Sequence, residues 1–387
     1  MLPSIYNPSE TLTLGILGGG QLAKMTAQAA QRMGLRVAII EHAQDSPAGM
    51  LTKLEFTGGW DSEESVQQFI EASDVITLEN EFIPPEVLEK FAEKRLLYPT
   101  VETMRLVRDK FTQKQTFAGI GIPTPHFAKI IDREDLIAFG KQYGYPFVVK
   151  TRTHGYDGHG NATVNRESEI DIAWNRFMGG GKPRALYAES FVTAAKELAV
   201  MVARNKRGET AVYPCVQTIQ QGHICVTVLA PAPIEEHLQK QAQEIALACV
   251  EAVGGIGVFG VEMFLTPDDK IIFNEIAPRP HNSGHYTIEA CHVSQYENHV
   301  RAVLNLPLGA GTMQVPAAAM INLLGERNGN GIPDNILDVL KIDDVVLHLY
   351  GKKEVRMGRK MGHLTVTANT VDEAFARASK ALDRLVW

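Results

Sequence analysis

Val258-Phe259-Gly260-Val261-Glu262-Met263-Phe264-Leu265, then Thr266-Pro267-Asp268-Asp269, then Lys270-Ile271-Ile272-Phe273-Asn274-Glu275-Ile276-Ala277-Pro278-Arg279-Pro280-His281-Asn282-Ser283-Gly284-His285 is the stretch from which the fold is read. Two apolar runs of strand length flank a Pro-Asp-Asp turn, so this segment forms an antiparallel hairpin that sets Glu262 beside Glu275. Either acid alone reads as a solvated residue at a strand end. Together, with the amide of Asn274 next door and Arg279 and His281 just beyond, they form a cluster that a packing core does not use. Paired carboxylates and an amide oxygen suit a hard, oxygen-ligated cation that bridges nucleotide phosphates, namely Mg2+.

The rest of the chain surrounds this hairpin with more than one domain. Its 387 residues exceed what one hydrophobic core organises, so two or three domains are expected. With 45% hydrophobic and 21% charged residues and a formal net charge of −7, it has no basic field to hold nucleic acid. Cys215, Cys225, Cys249 and Cys291 lack C-x-x-C spacing and sit among apolar residues, which reads as reduced thiols and not as a disulfide frame or zinc site. No cationic leader precedes an apolar segment, and no run of about 18 apolar residues occurs. A cytoplasmic protein with no membrane partner is the expectation.

Outward from the hairpin, periodicity switches along the chain. Residues 11–17 form an apolar strand, Gly18-Gly19-Gly20 a turn, 21–33 a helix and 35–40 a second strand, a βαβ unit. Helices at 62–72 and 85–95 alternate with a strand at 75–78, so the first domain is α/β with a parallel sheet. A helix over 101–118 leads through the breaker cluster at 121–125 into a small α+β unit, with a helix at 133–143 and a strand ending at Lys150. Gly155 to Gly160 forms a Gly-rich loop between two strands, and 179–181 a linker. Residues 185–265 are mostly strands around a long helix at 235–253, and helix resumes after Asn282 to about 304. The block 314–387 alternates strand and helix and ends in an amphipathic helix at 371–385.

Several motifs admit chemistry. Gly18-Gly19-Gly20-Gln21-Leu22-Ala23 with Glu41 after the next strand matches a dinucleotide fingerprint. Its physical content is a helix N-terminus whose free amides approach a phosphate or other polar group, and no second βαβαβ half follows to hold a nicotinamide ribose, which disfavours a dehydrogenase. The Gly155 loop suits a mobile flap over phosphates, against the plainer reading of a hairpin connection. Lys150 ends the apolar run 147–149, where an ammonium needs an anionic partner, and with Lys110 it suits a nucleotide phosphate. Glu189-Ser190-Phe191-Val192 resembles an edge segment that offers backbone groups to adenine, with Glu197 placed for ribose hydroxyls. Lys352, Lys353, Arg356, Arg359, Lys360 and His363 form a cationic block suited to a phosphomonoester, or else a solvated hairpin. Glu79 and Glu81 follow the strand at 75–78, at the carboxyl end of the sheet, where hydrogen bonds to a sugar are expected.

In this order, Asp109-Lys110, Lys150, the Tyr156-Asp157-Gly158 loop, Glu189, Glu197, Glu262 and Asn274-Glu275 make the chain resemble the ATP-grasp superfamily. Gly18 to Leu22, Asn274 to Cys291 and Tyr350 to His363 are most similar to its 5-(carboxyamino)imidazole ribonucleotide synthase family. The resemblance implies a three-domain ATP-grasp architecture of mixed α/β and α+β class. A Rossmann-like N-terminal domain (1–105) would precede a small central subdomain (106–186), a large subdomain (187–310) and a C-terminal portion (311–387). It implies that ATP is bound by Lys110, Lys150, Gly155, Tyr156, Asp157, Gly158, His159, Gly160, Asn161, Glu189, Ser190, Phe191, Val192, Glu197, Gln220, Asn274 and Glu275, and Mg2+ by Glu262 and Glu275. Arg279, His281, Tyr156 and Asp157 would line the bicarbonate and amine region. Gly20, Gln21, Leu22, Glu79, Lys352 and Arg359 would bind aminoimidazole ribonucleotide. The implied reaction makes carboxyphosphate from ATP and bicarbonate and carboxylates the ribonucleotide amine in purine biosynthesis. A homodimer and coupling to a downstream mutase are implied as well.

Three departures stand out. His159 and Asn161 replace the usual flap lysine and glutamine, Gln217-Thr218-Ile219-Gln220 stands where relatives often have Glu-Asn-x-His, and Leu78-Glu79-Asn80-Glu81-Phe82 alters the neighbours of two acids. The competing readings are a formate-dependent glycinamide ribonucleotide transformylase, which the block at 350–363 disfavours, and a non-catalytic nucleotide sensor, which the retained carboxylate pair disfavours.

Overall fold

The computed structural model describes residues 11–153, 160–179 and 184–385. The N-terminal sheet is parallel throughout, with strands in the order Leu54–Thr57, Arg36–Glu41, Thr13–Leu17, Val75–Leu78, Leu96–Leu97. Thr13–Leu17 is buried along its whole length because helices cover both faces, which is why it reads as an unbroken apolar run. The order reverses between this strand and Val75–Leu78, so Gly18 to Gly20 and Glu79 meet at a topological switch point. Leu54–Thr57 was not anticipated. It is a half-buried edge strand with two polar residues among four, so it lacks an apolar signature.

The helix expected over 101–118 is two helices, Val101–Arg108 and Lys110–Gly119. Asp109 between them is extended, and its carboxylate accepts from Phe111 N–H (3.0 Å) and Thr112 N–H (3.1 Å). An aspartate that caps the next helix competes with continuing the first, and apolar periodicity does not register this. The small unit is a four-stranded antiparallel sheet ordered Phe127–Ile130, Leu186–Ser190, Phe147–Thr151, Asn161–Val164. Helix Arg133–Tyr143 begins at a reciprocal Asp132/Asp135 capping box. Helix Ile170–Met178 also covers this unit, and the sequence reading passed over it.

The third sheet has nine strands and carries the hairpin at one end. Strand Ile224–Ala230 pairs with Ala317–Leu324, which pairs with Lys360–Ala368, so the sheet runs through the expected boundary near 310 without a break. Helix Glu236–Ala252 covers one face with Leu238, Ile245 and Val250. Helix Gln295–Val303 packs on the hairpin strand Gly257–Leu265 and on the first helix, Gln21–Arg32. Leu14, Ile16 and Met25 therefore share one core with Tyr296, Val300 and Tyr350, which fixes the N-terminal domain against the large one.

His299 fastens this junction. Val258 N–H donates to its Nδ1 (3.0 Å), so Nε2 carries the proton towards Thr77 Oγ1 (2.8 Å), and Thr77 donates to Tyr98 O (2.8 Å). Burial pushes the imidazole down to about 3, so only the neutral ring fits. The unfolded chain, with its histidine near 6.5, takes up the proton first, so His299 contributes stability above that pH that is lost as pH falls. The expected slope is about 1.4 kcal/mol per pH unit between roughly 6.5 and 3. Urea unfolding at pH 7.5, 6 and 5 should show a stability advantage of wild type over His299→Gln that changes little above pH 6.5 and shrinks towards this rate between pH 6 and 5; an advantage that stays constant over the range contradicts the assignment.

Candidate active site

Strands Gly257–Leu265 and Ile271–Ala277 pair antiparallel with Glu262 directly opposite Glu275, as the turn spacing implied. A bulge follows, because Met263 pairs with Phe273 and leaves Asn274 over. Strict alternation would turn Asn274 and Glu275 to opposite faces, whereas the extra residue lets both border one cleft between buried Phe273 and Ile276. Asn274 Nδ2 leans on Glu262 Oε2 (3.5 Å), while its Oδ1 is buried with no hydrogen-bond partner. Two carboxylates and an orphaned amide oxygen fit an oxygen-ligated divalent cation. Lys110 Nζ lies 2.5 Å from Glu275 Oε2. Burial alone would raise the Glu275 pKa, but Lys110 outweighs it and holds it low, whereas burial, with Glu275 and Glu197 nearby, raises Glu262.

Lys150 also borders the cleft, and its expected anionic partner is supplied by the protein. Glu189, 3% exposed, is ion-paired to Lys150 through Oε1 and to Lys114 through Oε2 (3.2 Å). Burial would raise this carboxylate, yet the two ammoniums hold it down at about 2, and burial lowers Lys114 to about 8 against the pull of Glu189. Lys114 was missed because a lysine four residues from Lys110 reads as part of a solvated helix face.

The strand holding Glu189 is not an edge, contrary to the sequence reading. It lies between Phe127–Ile130 and Phe147–Thr151, Ser190 N–H donates to His126 O (2.8 Å) and Phe191 N–H to Pro146 O (3.3 Å). Only beyond Ser190 does the chain leave the sheet, with Phe191 exposed and Val192 half-buried. Gly155, Tyr156, Asp157, Gly158 and His159 lie outside the described residues. Gly160 takes a positive φ of 93°, and Asn161 borders the cleft. Glu197 and Gln220 border it too, burial raising the Glu197 pKa and Gln220 opposing this by hydrogen bonding. His223 joins them, so the histidine lost at Gln220 is matched by one from the following turn, where His223 takes a positive φ of 66°. Nothing in its local pattern marked it.

On the same cavity Arg279 forms a two-pronged ion pair with Glu81, through Nε to Oε2 and Nη2 to Oε1 (2.9 Å). His281 is held by its backbone to the Gln295 amide (2.9 and 2.7 Å). Ser283 N–H faces His281 Nδ1 (3.4 Å) and the Ser283 hydroxyl lies 2.8 Å from it, which leaves Nε2 to carry the proton 3.4 Å from Glu262 Oε1. Burial, then Arg279 and Lys360, push His281 down to about 3, so it is a neutral donor. Gly260 is required here, since a Cβ would sit 2.6 Å from His281 Cβ.

Gln21 and Leu22 bring the N-terminal domain to the same cavity of about 380 Å³. The amides of the Gly-rich turn are not free as expected: Gly19 N–H donates to Glu41 Oε2 (2.8 Å), Gly20 N–H to Glu79 Oε1 (2.6 Å) and Ala23 N–H to Glu79 Oε2 (3.1 Å). The Glu79 carboxylate occupies the helix N-terminus, where the macrodipole favours an anion. Of the cationic block, Lys360 borders the cavity; Lys352 Nζ donates to Lys360 O (2.7 Å) and Arg359 to Glu354 O (2.6 Å). Phe82, Phe264, Cys225, Asn282 and His285 complete the lining, and sequence reasoning gave none of them a role.

This cleft, between a small antiparallel unit and a carboxylate-bearing hairpin, is that of an ATP-grasp protein, and residues 115–296 match the ATP-grasp domain model. Residues 11–108 match the ribonucleotide synthetase preATP-grasp domain, and 318–377 the phosphoribosylaminoimidazole carboxylase C-terminal domain. The N5-carboxyaminoimidazole ribonucleotide synthase of Synechococcus elongatus is 38% identical over 91% of the chain and 89% of its own length. The protein belongs to the N5-carboxyaminoimidazole ribonucleotide synthase family of ATP-dependent ligases. The phosphoribosylaminoimidazole carboxylase of Schizosaccharomyces pombe is also 38% identical over 97% of the chain, which spans 68% of that longer relative. The crystal structure of N5-carboxyaminoimidazole synthase from Aspergillus clavatus with ADP and 5-aminoimidazole ribonucleotide superposes with a TM-score of 0.87, at 37% identity over 96% of this chain and 98% of that one.

Proposed function

We propose that the protein uses ATP and bicarbonate to carboxylate the amine of 5-aminoimidazole ribonucleotide, giving N5-carboxyaminoimidazole ribonucleotide, ADP and phosphate, in purine biosynthesis. The observation that carries this reading is that one cavity is lined by Lys110, Lys150, Asn274 and Glu275 together with Arg279, His281 and Lys360. Glu262, Glu275 and Asn274 Oδ1 would hold Mg2+, which neutralises charge on a transferring phosphoryl group when bound. Lys110 and Lys150 add to that neutralisation from the protein side. A bicarbonate oxygen attacks the γ-phosphorus as the bond to ADP breaks, which gives carboxyphosphate. The ribonucleotide amine then takes the carboxyl carbon, phosphate leaves, and the amine gives up a proton. Arg279, locked by Glu81, holds the carboxyl anion, and neutral His281 donates from Nε2 without adding charge. The reading includes a homodimer acting in the cytosol beside the mutase that consumes the product, on the strength of the family resemblance. Among the described residues no helix is long and apolar enough to cross a membrane.

ADP release with Mg-ATP and bicarbonate tests the substrate. Stimulation by 5-aminoimidazole ribonucleotide, and none by glycinamide ribonucleotide with formate, is the expected result; the reverse pattern assigns the transformylase reaction instead. Arg359→Ala should raise the KM for the ribonucleotide about tenfold or more, the loss of one charged phosphate contact, with the KM for ATP unchanged. Unchanged ribonucleotide saturation removes Arg359 from the phosphate site.

A further inference from the structure

Lys114 is 1% exposed, yet three structural elements converge on its ammonium. It rises from helix Lys110–Gly119, meets Glu189 Oε2 of the small sheet at 3.2 Å, and donates to Phe273 O of the hairpin at 3.1 Å. Phe273 is the residue before Asn274 and Glu275, so the same ammonium grips both walls of the nucleotide cleft. The other oxygen of Glu189 holds Lys150, which faces the cavity. One carboxylate between two ammoniums leaves one positive charge uncancelled. Were Lys114 absent, Glu189 would neutralise Lys150 alone, and the cleft would lose the charge that attracts phosphate.

We infer that Lys114 is a positioning residue for nucleotide binding: it engages one oxygen of Glu189 so that Lys150 keeps a net charge for the phosphates, and it ties the small sheet to the hairpin. The inference rests on the nucleotide-binding part of the proposed function. It requires charge at Lys114 and not only bulk, so it has a signature that a packing role lacks.

Calorimetric titration of wild type and variants with Mg-ADP and with adenosine, at pH 7, reads this out. Lys114→Met should weaken ADP by about tenfold or more, as expected for one partner lost from a buried charge network, and adenosine by less than about twofold. Lys114→Arg should recover most of the ADP affinity. Adding Glu189→Gln to Lys114→Met should recover about threefold or more of the lost ADP affinity, because the amide no longer cancels Lys150 while the tie to Phe273 O stays broken. Wild-type ADP affinity in Lys114→Met overturns the inference, as does equal loss of adenosine or a further loss of ADP binding in the double variant. Should Lys114→Met fail to fold, the arginine variant and the double variant carry the comparison. Nucleotide binding is scored apart from carboxylation, so a wild type that binds ADP without carboxylating the ribonucleotide contradicts only the proposed reaction.

Discussion

Glu275→Gln should lower the rate of carbamate formation by about three orders of magnitude, the scale of losing a principal electrostatic contact to the transferring group. Glu275 serves two partners at once. Its Oε2 holds Lys110 at 2.5 Å, and its carboxylate stands opposite Glu262 beside the unpartnered Asn274 Oδ1. The neutral amide keeps shape and volume but removes the charge that both a divalent cation and Lys110 need. Lys110, left with a weaker partner, should turn further into the cleft, so ADP should still bind while turnover collapses. The Mg2+ concentration for half-maximal activity should rise in parallel. Steady-state kinetics across a magnesium titration decide this; activity within tenfold of wild type with an unshifted magnesium midpoint contradicts the role given to this carboxylate.

Arg279→Ala should lower both activity and stability, and a second substitution should separate the two. The side chains of Arg279 and Glu81 are 17% and 22% exposed and joined by two parallel contacts, so truncating the guanidinium strands a largely buried carboxylate. The expected cost is about 2–4 kcal/mol, at or just under the range for a broken buried pair because some solvent reaches the site. Arg279→Ala with Glu81→Gln should regain most of that stability, since no unpaired charge is left. Activity should stay at least about a hundredfold down in both, because both lack the guanidinium proposed to hold the carboxyl anion. Thermal unfolding and kcat/KM for bicarbonate measured on the same samples decide it. If the double variant recovers activity together with stability, Arg279 is a structural residue.

The carboxylate hairpin was legible because its signals are local: two apolar runs, a turn of fixed length and acids at matching positions. The bulge that turns Asn274 and Glu275 to the same side was not, since an extra residue in one strand is defined only by its partner's register. Gly18 to Gly20 correctly marked a helix N-terminus at a switch point. The sequence could not show that Glu79 and Glu41 occupy its amides, because they arrive from other strands. Lys150 was recognised as needing an anion, but the anion is Glu189, brought by the neighbouring strand, with Lys114 behind it. Asp109 ended a helix that periodicity alone had continued. The contacts of Glu41, Glu79, Glu189 and Lys114 share one cause, a polar group whose partner lies far along the chain, whereas the Asp109 cap is a local signal to which apolar periodicity is blind.

The most direct test of the proposed chemistry follows oxygen. With 18O-labelled bicarbonate, ATP and 5-aminoimidazole ribonucleotide, attack on the γ-phosphorus through a bicarbonate oxygen leaves that oxygen on phosphate when the carboxyl group moves to the amine. The expected result is label in inorganic phosphate, one atom per carbamate formed. Carbamate formation with unlabelled phosphate would contradict the carboxyphosphate route on which the reading of this cleft depends.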